Sequence, residues 1–258
     1  MRMKMKTLKL KVVALICTMF LSAGSIFAQS ADEIMKKVDI RVVPKDMKTI
    51  MKMNLIDKSN QVRQKDLKTY KLSDEKMMMW FLNPADVKGS SFLKISYDNK
   101  DDDMWIYLPA LGKVRRVASS AKNGSFMGSD FTYEDMGDRK LKDYTYKLLK
   151  VENYAGKQCW VIESTPKSGV STDYSKIISW VWKDDYFQMK EEFYNKKGTL
   201  KKIKTAELVK VKSYWVPRKF TMQDLSANHK TELVFDKIEV DTGISPSLFD
   251  QNNMTKIY

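Results

Sequence analysis

In two short stretches of the chain, apolar residues occupy both the odd and the even positions of a predicted strand. Residues 76–82 read KMMMWFL and residues 104–108 read MWIYL, so odd and even positions are apolar alike. Successive side chains of a strand point to opposite faces, whereas an open antiparallel sheet normally keeps one polar face. These strands therefore need a cover on both sides, from a second layer, from helices or from a ligand.

Similar short runs, rich in aromatic and β-branched residues, recur along most of the chain between turn residues. No Gly/Ser-rich linker separates them, and no helix-length apolar period lies between them. The pattern predicts a single, mainly antiparallel β (α+β) domain over residues 29–258 with about ten or eleven strands. It disfavours a parallel α/β fold.

Helices are predicted in only three places. Ser30 followed by Glu33 makes a capping box in front of the apolar residues of 31–38, which predicts a short helix there. Further candidates lie near residues 84–88 and within 115–143.

The first 28 residues have the layout of a secretory signal. Five basic residues and no acid precede the apolar run 12–21, and small residues follow up to Ala28. Ten apolar residues form a helix of about 15 Å, roughly half a bilayer core. We therefore predict cleavage near Ala28 and export to the periplasm.

Composition narrows the function classes. The formal charge is +14, and removal of the signal leaves 41 basic against 32 acidic residues. His229 is the single histidine and stands in a polar, turn-like context, so a solvated role is favoured over catalysis. Cys159 is the thiol that remains after cleavage, and we interpret it as a buried small hydrophobe.

No nucleophile elbow, phosphate loop or dinucleotide motif occurs, so the chain is predicted not to be an enzyme and to need no cofactor.

Two charged clusters have simple interpretations. Asp98 and residues 101–103 could bind Ca²⁺, but they lack the glycine and terminal Glu of a calcium loop, so a charged hairpin turn is favoured and no metal is expected. Lysines between 196 and 204 gather at another hairpin. They either contact an anionic membrane surface transiently or form a solvated hairpin that blocks edge pairing, and the second is favoured. Nucleic acid is not an expected partner.

Residues 109–138 are the least strand-like part of the chain. Phe126, Met127 and Phe131 are set into a loop rich in Ser and Gly, with an amphipathic helical turn expected if Ser129 or Asp130 caps it. The loop is either a mobile lid over an apolar cavity or a loop held to the core by its aromatic residues. The second alternative is favoured because loop aromatics usually pack.

Several motifs resemble one family. They are LNPADVKG at 82–89, WIYLPAL at 105–111 with KVRR at 113–116, GSFMGSDF at 124–131 with YED at 133–135, ESTPK at 163–167 and TGIS at 242–245. Together they resemble the LolA-like outer-membrane lipoprotein-sorting proteins over most of residues 31–258. The resemblance implies an incomplete, strongly curved β-barrel with short helices covering its concave face. It also implies a monomeric periplasmic carrier whose cavity holds acyl chains, with an inner-membrane exporter of the resistance-nodulation-division type as a further partner.

The predicted ligand contacts combine apolar and cationic side chains. Methionine adapts to irregular apolar shapes, and about half of the apolar candidates should line the cavity because strand neighbours alternate faces. Arg115 and Arg116 either bind an anionic head group or pair with Asp130, Glu134 or Asp135. The full set is Met77, Met79, Trp80, Phe81, Phe92, Trp105, Tyr107, Arg115, Arg116, Phe126, Met127, Phe131, Trp180 and Trp182.

Three functional hypotheses follow from the sequence, and the third, an esterase that acts on lipids with His229 as its base, is disfavoured. The first is a non-enzymatic carrier that shields the acyl chains of a lipid or lipoprotein on the way to the outer membrane. The second is an adaptor that docks on an exporter and carries no cargo.

Overall fold

A computed structural model describes residues 29–256 of the chain. The signal predicted at residues 1–28 lies outside the described residues. Among residues 29–256, no helix is both long enough and apolar enough to cross a membrane.

Thirteen strands in the described part of the chain form one antiparallel sheet. They are β1 (Asp46–Ile56), β2 (Val62–Leu72), β3 (Lys76–Asn83), β4 (Ser91–Ile95), β5 (Asp103–Leu108), β6 (Lys113–Arg116), β7 (Tyr144–Tyr154), β8 (Lys157–Pro166), β9 (Tyr174–Trp182), β10 (Gln188–Asn195), β11 (Leu200–Val211), β12 (Tyr214–Asp224) and β13 (His229–Val240). The antiparallel class is confirmed, although the sheet has more strands than the predicted ten or eleven. The four-residue β6 is mostly exposed, so no apolar alternation reveals it.

The topology consists of two meanders that share a seam. Strands β1 to β6 lie side by side in chain order, as do β7 to β13, and β1 pairs with β13 in the middle. The edges β6 and β7 do not pair, so the curled sheet is an unclosed barrel. Residues 117–143, which we call the covering segment, connect these two edges across the concave face.

The N-terminal helix α1 (Ala31–Asp39) confirms the predicted capping box. The Ser30 hydroxyl accepts from the backbone N–H of Glu33, and the Glu33 carboxylate accepts from the N–H of Ser30. Ile34 is fully buried and belongs to a cluster with Ile162 of β8 and Val181 of β9. The helix therefore covers the concave face near the β7 edge.

The other helix predictions are only partly correct. Residues 84–89 form turns, so a helix at 84–88 was a wrong expectation. The covering segment contains α2 (Tyr133–Met136) and two 3-10 turns, at Ser119–Ala121 and Leu141–Asp143. The N-cap of α2 is Thr132 rather than Ser129 or Asp130, and its hydroxyl accepts from the backbone N–H of Asp135.

The doubly apolar strand β3 is buried on both sides, as its pattern requires. Met77 and Met79 join the apolar cluster of the concave face. Met78 and Trp80 join a separate cluster on the outer face. There the C-terminal residues 244–254 form the cover, with Ile244, Phe249 and Met254 all buried.

Candidate functional site

Two adjoining cavities lie between the concave face and its cover. The larger, of about 780 Å³, is lined mainly by polar and charged side chains and is here called the charged cavity. The smaller, of about 390 Å³, is lined largely by methionine, phenylalanine and aliphatic side chains and is here called the apolar chamber. Arg41, Asp135 and Lys204 line both. Both volumes lie within the range of about 300–1,000 Å³ that is usual for small-molecule sites.

Alternation along the central strands supplies the floor of the apolar chamber. In β1, Thr49 and Met51 point inward, and Met51 is paired with Phe235 of β13 in the sheet register. Leu233, two residues before Phe235, faces the same way. The covering segment adds Phe131 and Met136 from above. The result is a space bounded mostly by apolar carbon and sulfur.

Ion pairs connect the cover to the floor around the charged cavity. The Lys94 ammonium of β4 lies 2.8 Å from the Asp138 carboxylate in the covering segment. On the other side, Glu191 of β10 contacts both Arg139 of the covering segment and Lys204 of β11. The cover thus bridges the two halves of the sheet through its own charged residues.

Glu191 is the most completely buried of these charges, with 0 % of its surface exposed. Burial alone would raise its pKa, but Arg139 and Lys204 lower the pKa of Glu191 to about 2. Two cations around one carboxylate explain why a charge is tolerated there.

Polar contacts also hold the middle of the covering segment. Lys202, predicted as part of a hairpin surface, is instead buried and donates to the Asp130 carbonyl at 2.6 Å. The Tyr174 hydroxyl donates to Asp135 at 2.9 Å. Burial and Asp135 raise the pKa of Tyr174. The Asp130 N–H donates to the Thr231 hydroxyl, which in turn donates to the Asp130 carboxylate.

The loop around Phe126 is packed into the sheet. Phe126 is fully buried, and its ring centroid lies 5.0 Å from that of Phe92 in an edge-to-face contact. Lys65 donates to the Met127 carbonyl at 2.5 Å, and burial lowers the pKa of Lys65. The positive φ of Met127 and Gly128 makes a tight turn here in place of the expected helical turn. These contacts favour the alternative in which aromatic residues hold the loop to the core.

The predicted apolar residues divide between the two faces of the sheet. Met77, Met79 and Phe131 line the apolar chamber. Four more lie on the concave face but outside the chamber lining: Phe81, Phe92, Phe126 and Met127. The remaining five pack on the outer face: Trp80, Trp105, Tyr107, Trp180 and Trp182.

Arg115 and Arg116 lie on the edge strand β6, away from both cavity linings. Arg116 pairs with Asp103 of the neighbouring β5, so the alternative of a pairing with Asp130, Glu134 or Asp135 is not realised for this residue. Arg115 is exposed.

Several other sequence-based expectations are corrected or confirmed. His229 begins β13, is partly exposed and contacts the buried Asp130 carboxylate, so it has an acidic partner that the sequence did not reveal. Lys204 points into the cavities and not onto a solvated hairpin. Asp102 is buried and lies 2.8 Å from Lys140, so it is not part of an open turn. Cys159 is a buried hydrophobe as predicted, and burial raises its pKa to about 11.

Sequence patterns missed several residues that define the site. Thr49, Arg139, Glu191 and Leu233 carried no motif. For Thr49 the sequence offered one signal, the alternation of side chains along a strand. Thr49 precedes Met51 by two positions and therefore shares its face. The pairing of Arg139 with Glu191 joins residues 52 positions apart. No group of three or more His, Cys, Asp or Glu within residues 29–256 is arranged to hold a metal ion.

Comparisons with known proteins add to this geometry. A family model described as "Uncharacterized protein" matches residues 73–256. A crystal structure described as an outer membrane lipoprotein-sorting protein domain from Vibrio parahaemolyticus is 31% identical, and the alignment covers 88% of this chain and 98% of that chain, with a TM-score of 0.79. A DUF1329 family protein from Desulfovibrio piger is 29% identical, with 87% and 97% covered and a TM-score of 0.80. A LolA superfamily protein from Nitrosomonas europaea has the same fold at 18% identity, with 87% and 99% covered and a TM-score of 0.67. No curated protein sequence matches the chain.

Proposed function

The chain belongs to the family of LolA-like outer-membrane lipoprotein-sorting proteins, and we propose that it is a non-enzymatic periplasmic carrier of acylated molecules. The acyl chain of a lipid or lipoprotein enters the apolar chamber, and the protein shields it from water on the way towards the outer membrane. The carrier acts as a monomer.

One observation carries this proposal: an apolar chamber of about 390 Å³ lies between the sheet and its cover. Transfer of an acyl chain from water into such a space gains about 0.8 kcal/mol per buried CH₂ group. Methionine at Met51, Met77 and Met79 allows the walls to adapt to chains of different shape. The adjoining charged cavity provides a polar region for the rest of the cargo.

Mass spectrometry of gently purified protein tests the proposal. Met136→Trp is designed to fill the chamber, because Met136 lines it from α2 and is only partly buried. Leu149→Trp is a matched control, since Leu149 is an exposed residue of the edge strand β7. We expect about one acylated molecule per wild-type and Leu149→Trp protein and at least a tenfold loss in Met136→Trp, with unchanged circular dichroism.

Equal lipid recovery from Met136→Trp and wild type would contradict the use of this chamber. A wild-type protein that carries no lipid but co-purifies with an envelope protein would favour the adaptor hypothesis instead.

A further inference from the structure

Thr49 is a buried polar residue of the apolar chamber whose hydroxyl has no hydrogen-bond partner within residues 29–256. It lines the chamber from the middle of β1 and is 3 % exposed. Its Oγ1 makes no hydrogen bond with any group of the described residues. The cross-strand neighbour Thr69 differs, because its hydroxyl lies 3.4 Å from the Met51 sulfur and donates to it. Buried polar atoms normally have a partner. The Thr49 oxygen is itself enclosed, so a ligand in the chamber can supply this partner once the side chain rotates about χ1 and turns the hydroxyl towards it.

Charged side chains that line the chamber already have counter-charges within the protein. Lys71 lies 2.7 Å from Asp74, and Lys94 lies 2.8 Å from Asp138. Lys204 contacts Glu191. The other two pairs that involve lining residues are Arg41 with Asp185 at 2.9 Å and Lys202 with Asp135 at 3.3 Å.

We propose that the chamber binds a neutral oxygen-bearing part of its acylated ligand, an ester carbonyl or a hydroxyl, through a hydrogen bond from Thr49. This inference rests on the proposed carrier function and specifies its ligand class. A carboxylate or phosphate in the chamber would add a buried charge where every lining charge is already compensated, which is unfavourable. A neutral ester gains the unused hydroxyl and adds no charge.

The position of Thr49 also orients the ligand. Met51 and Leu233 line the chamber together with Thr49, whereas Asp135 and Lys204 line both the chamber and the charged cavity. An ester at Thr49 therefore leaves the hydrocarbon chain among the apolar walls and directs the remaining polar part towards the charged cavity.

Competition between three matched ligands tests the inference. The full chain binds 1-dodecylpyrene, and methyl myristate, myristate or hexadecane, each delivered from cyclodextrin, displaces this fluorescent probe. Wild type should bind methyl myristate about fivefold to tenfold more tightly than hexadecane, as expected for one hydrogen bond. It should also bind methyl myristate more tightly than myristate.

Three variants assign the effect to one atom. Thr49→Val removes the hydroxyl at nearly constant shape and should abolish the ester preference without weakening hexadecane binding. Thr49→Ser keeps a hydroxyl and should keep the preference. Thr221→Val is the matched control, because Thr221 lies between the cavity-lining Phe220 and Met222 and therefore points to the outer face.

The outcomes separate this inference from the carrier proposal. An ester preference that survives in Thr49→Val, or that disappears equally in Thr221→Val, overturns the role of Thr49. Tighter binding of myristate than of methyl myristate overturns the neutral ligand class. Hexadecane binding without any ester preference in wild type overturns the inference and leaves the carrier intact, whereas failure of all three ligands to displace the probe overturns both. The melting temperature of Thr49→Val should not fall, because the Thr49 hydroxyl makes no hydrogen bond within the described part of the chain.

Discussion

The two ends of the concave face are covered by the same segment in different ways. At one end, which we call the aromatic end, Phe126 packs its ring against Phe92 and lies 5.6 Å from the Tyr133 ring. At the other end, the cover contacts the sheet through ion pairs such as Arg139 with Glu191. The first end belongs to the packed core, and the second encloses the two cavities.

This difference shows how one cover can both seal and leave space. Aromatic rings reach their partners only in direct contact, so they fill the volume between cover and sheet. Long side chains such as Arg139 and Lys94 reach their carboxylate partners across a gap, so they hold the cover in place without filling the space beside them. The position of the cavity follows from the kind of contact made by each half of the covering segment.

The largest expected effect on the free energy of unfolding comes from a substitution at the aromatic end. Phe126→Ala removes a fully buried ring and should lower the free energy of unfolding by about 3–5 kcal/mol. Urea denaturation measures this loss. The amount of lipid recovered per folded molecule should stay close to that of wild type. A variant with normal stability but no lipid would mean that this end is a lid, and the comparison of the two ends would fail.

Acid should have a smaller effect on the free energy of unfolding, and this effect should arise at the end of the concave face where ion pairs hold the covering segment. The pKa of Glu191 is lowered from 4.5 to about 2, so its stabilising contribution is present above pH 4.5 and is lost as the pH falls towards 2. The contribution amounts to about 3 kcal/mol. As the pH falls through this window, the hydrogen-exchange protection factors of residues 137–141 should fall before those of residues 124–128 do.

Glu191→Gln provides the control for the acid effect. This variant has no carboxylate at position 191, so no charge is neutralised there as the pH falls. Its free energy of unfolding should therefore fall less steeply than that of wild type between pH 4.5 and 2. Parallel pH profiles for the two proteins would show that Glu191 does not hold the cover.

The smallest effect is expected at the contact between the cover and the start of β13. His229→Gln replaces a side chain that is 45% exposed and contacts Asp130. Because Gln keeps an N–H donor for the Asp130 carboxylate, the free energy of unfolding should change by about 1 kcal/mol or less, with lipid recovery unchanged. A loss of lipid binding here would move the site from the apolar chamber towards Asp130.

Local patterns were sufficient to predict much of the fold. Alternation and turn residues predicted the antiparallel sheet, and the capping box at Ser30 and Glu33 predicted α1. Apolar residues at both the odd and the even positions of β3 predicted a cover on each side of the sheet. Phe131 on the concave face and Phe249 on the outer face confirm this prediction. These features depend on neighbours in the sequence, so the sequence reveals them.

The candidate site was predicted less completely. Met77, Met79 and Phe131 line the chamber as expected, but Trp180 and Trp182 lie on the outer face. Alternation along a strand places neighbouring side chains on opposite faces of the sheet, but it does not reveal which face is concave. That choice depends on how distant strands curl and on where the covering segment crosses.

The sequence by itself therefore determined most of the strands, the first helix and the need for two covers, because each depends on local periodicity and capping. The tertiary structure alone decided where space remains. Arg139 of the covering segment meets Glu191 from 52 positions away, and the chamber is lined by Thr49 of β1, Met136 of α2 and Leu233 of β13. Such contacts depend on long-range pairing and sheet curvature, which no local pattern encodes.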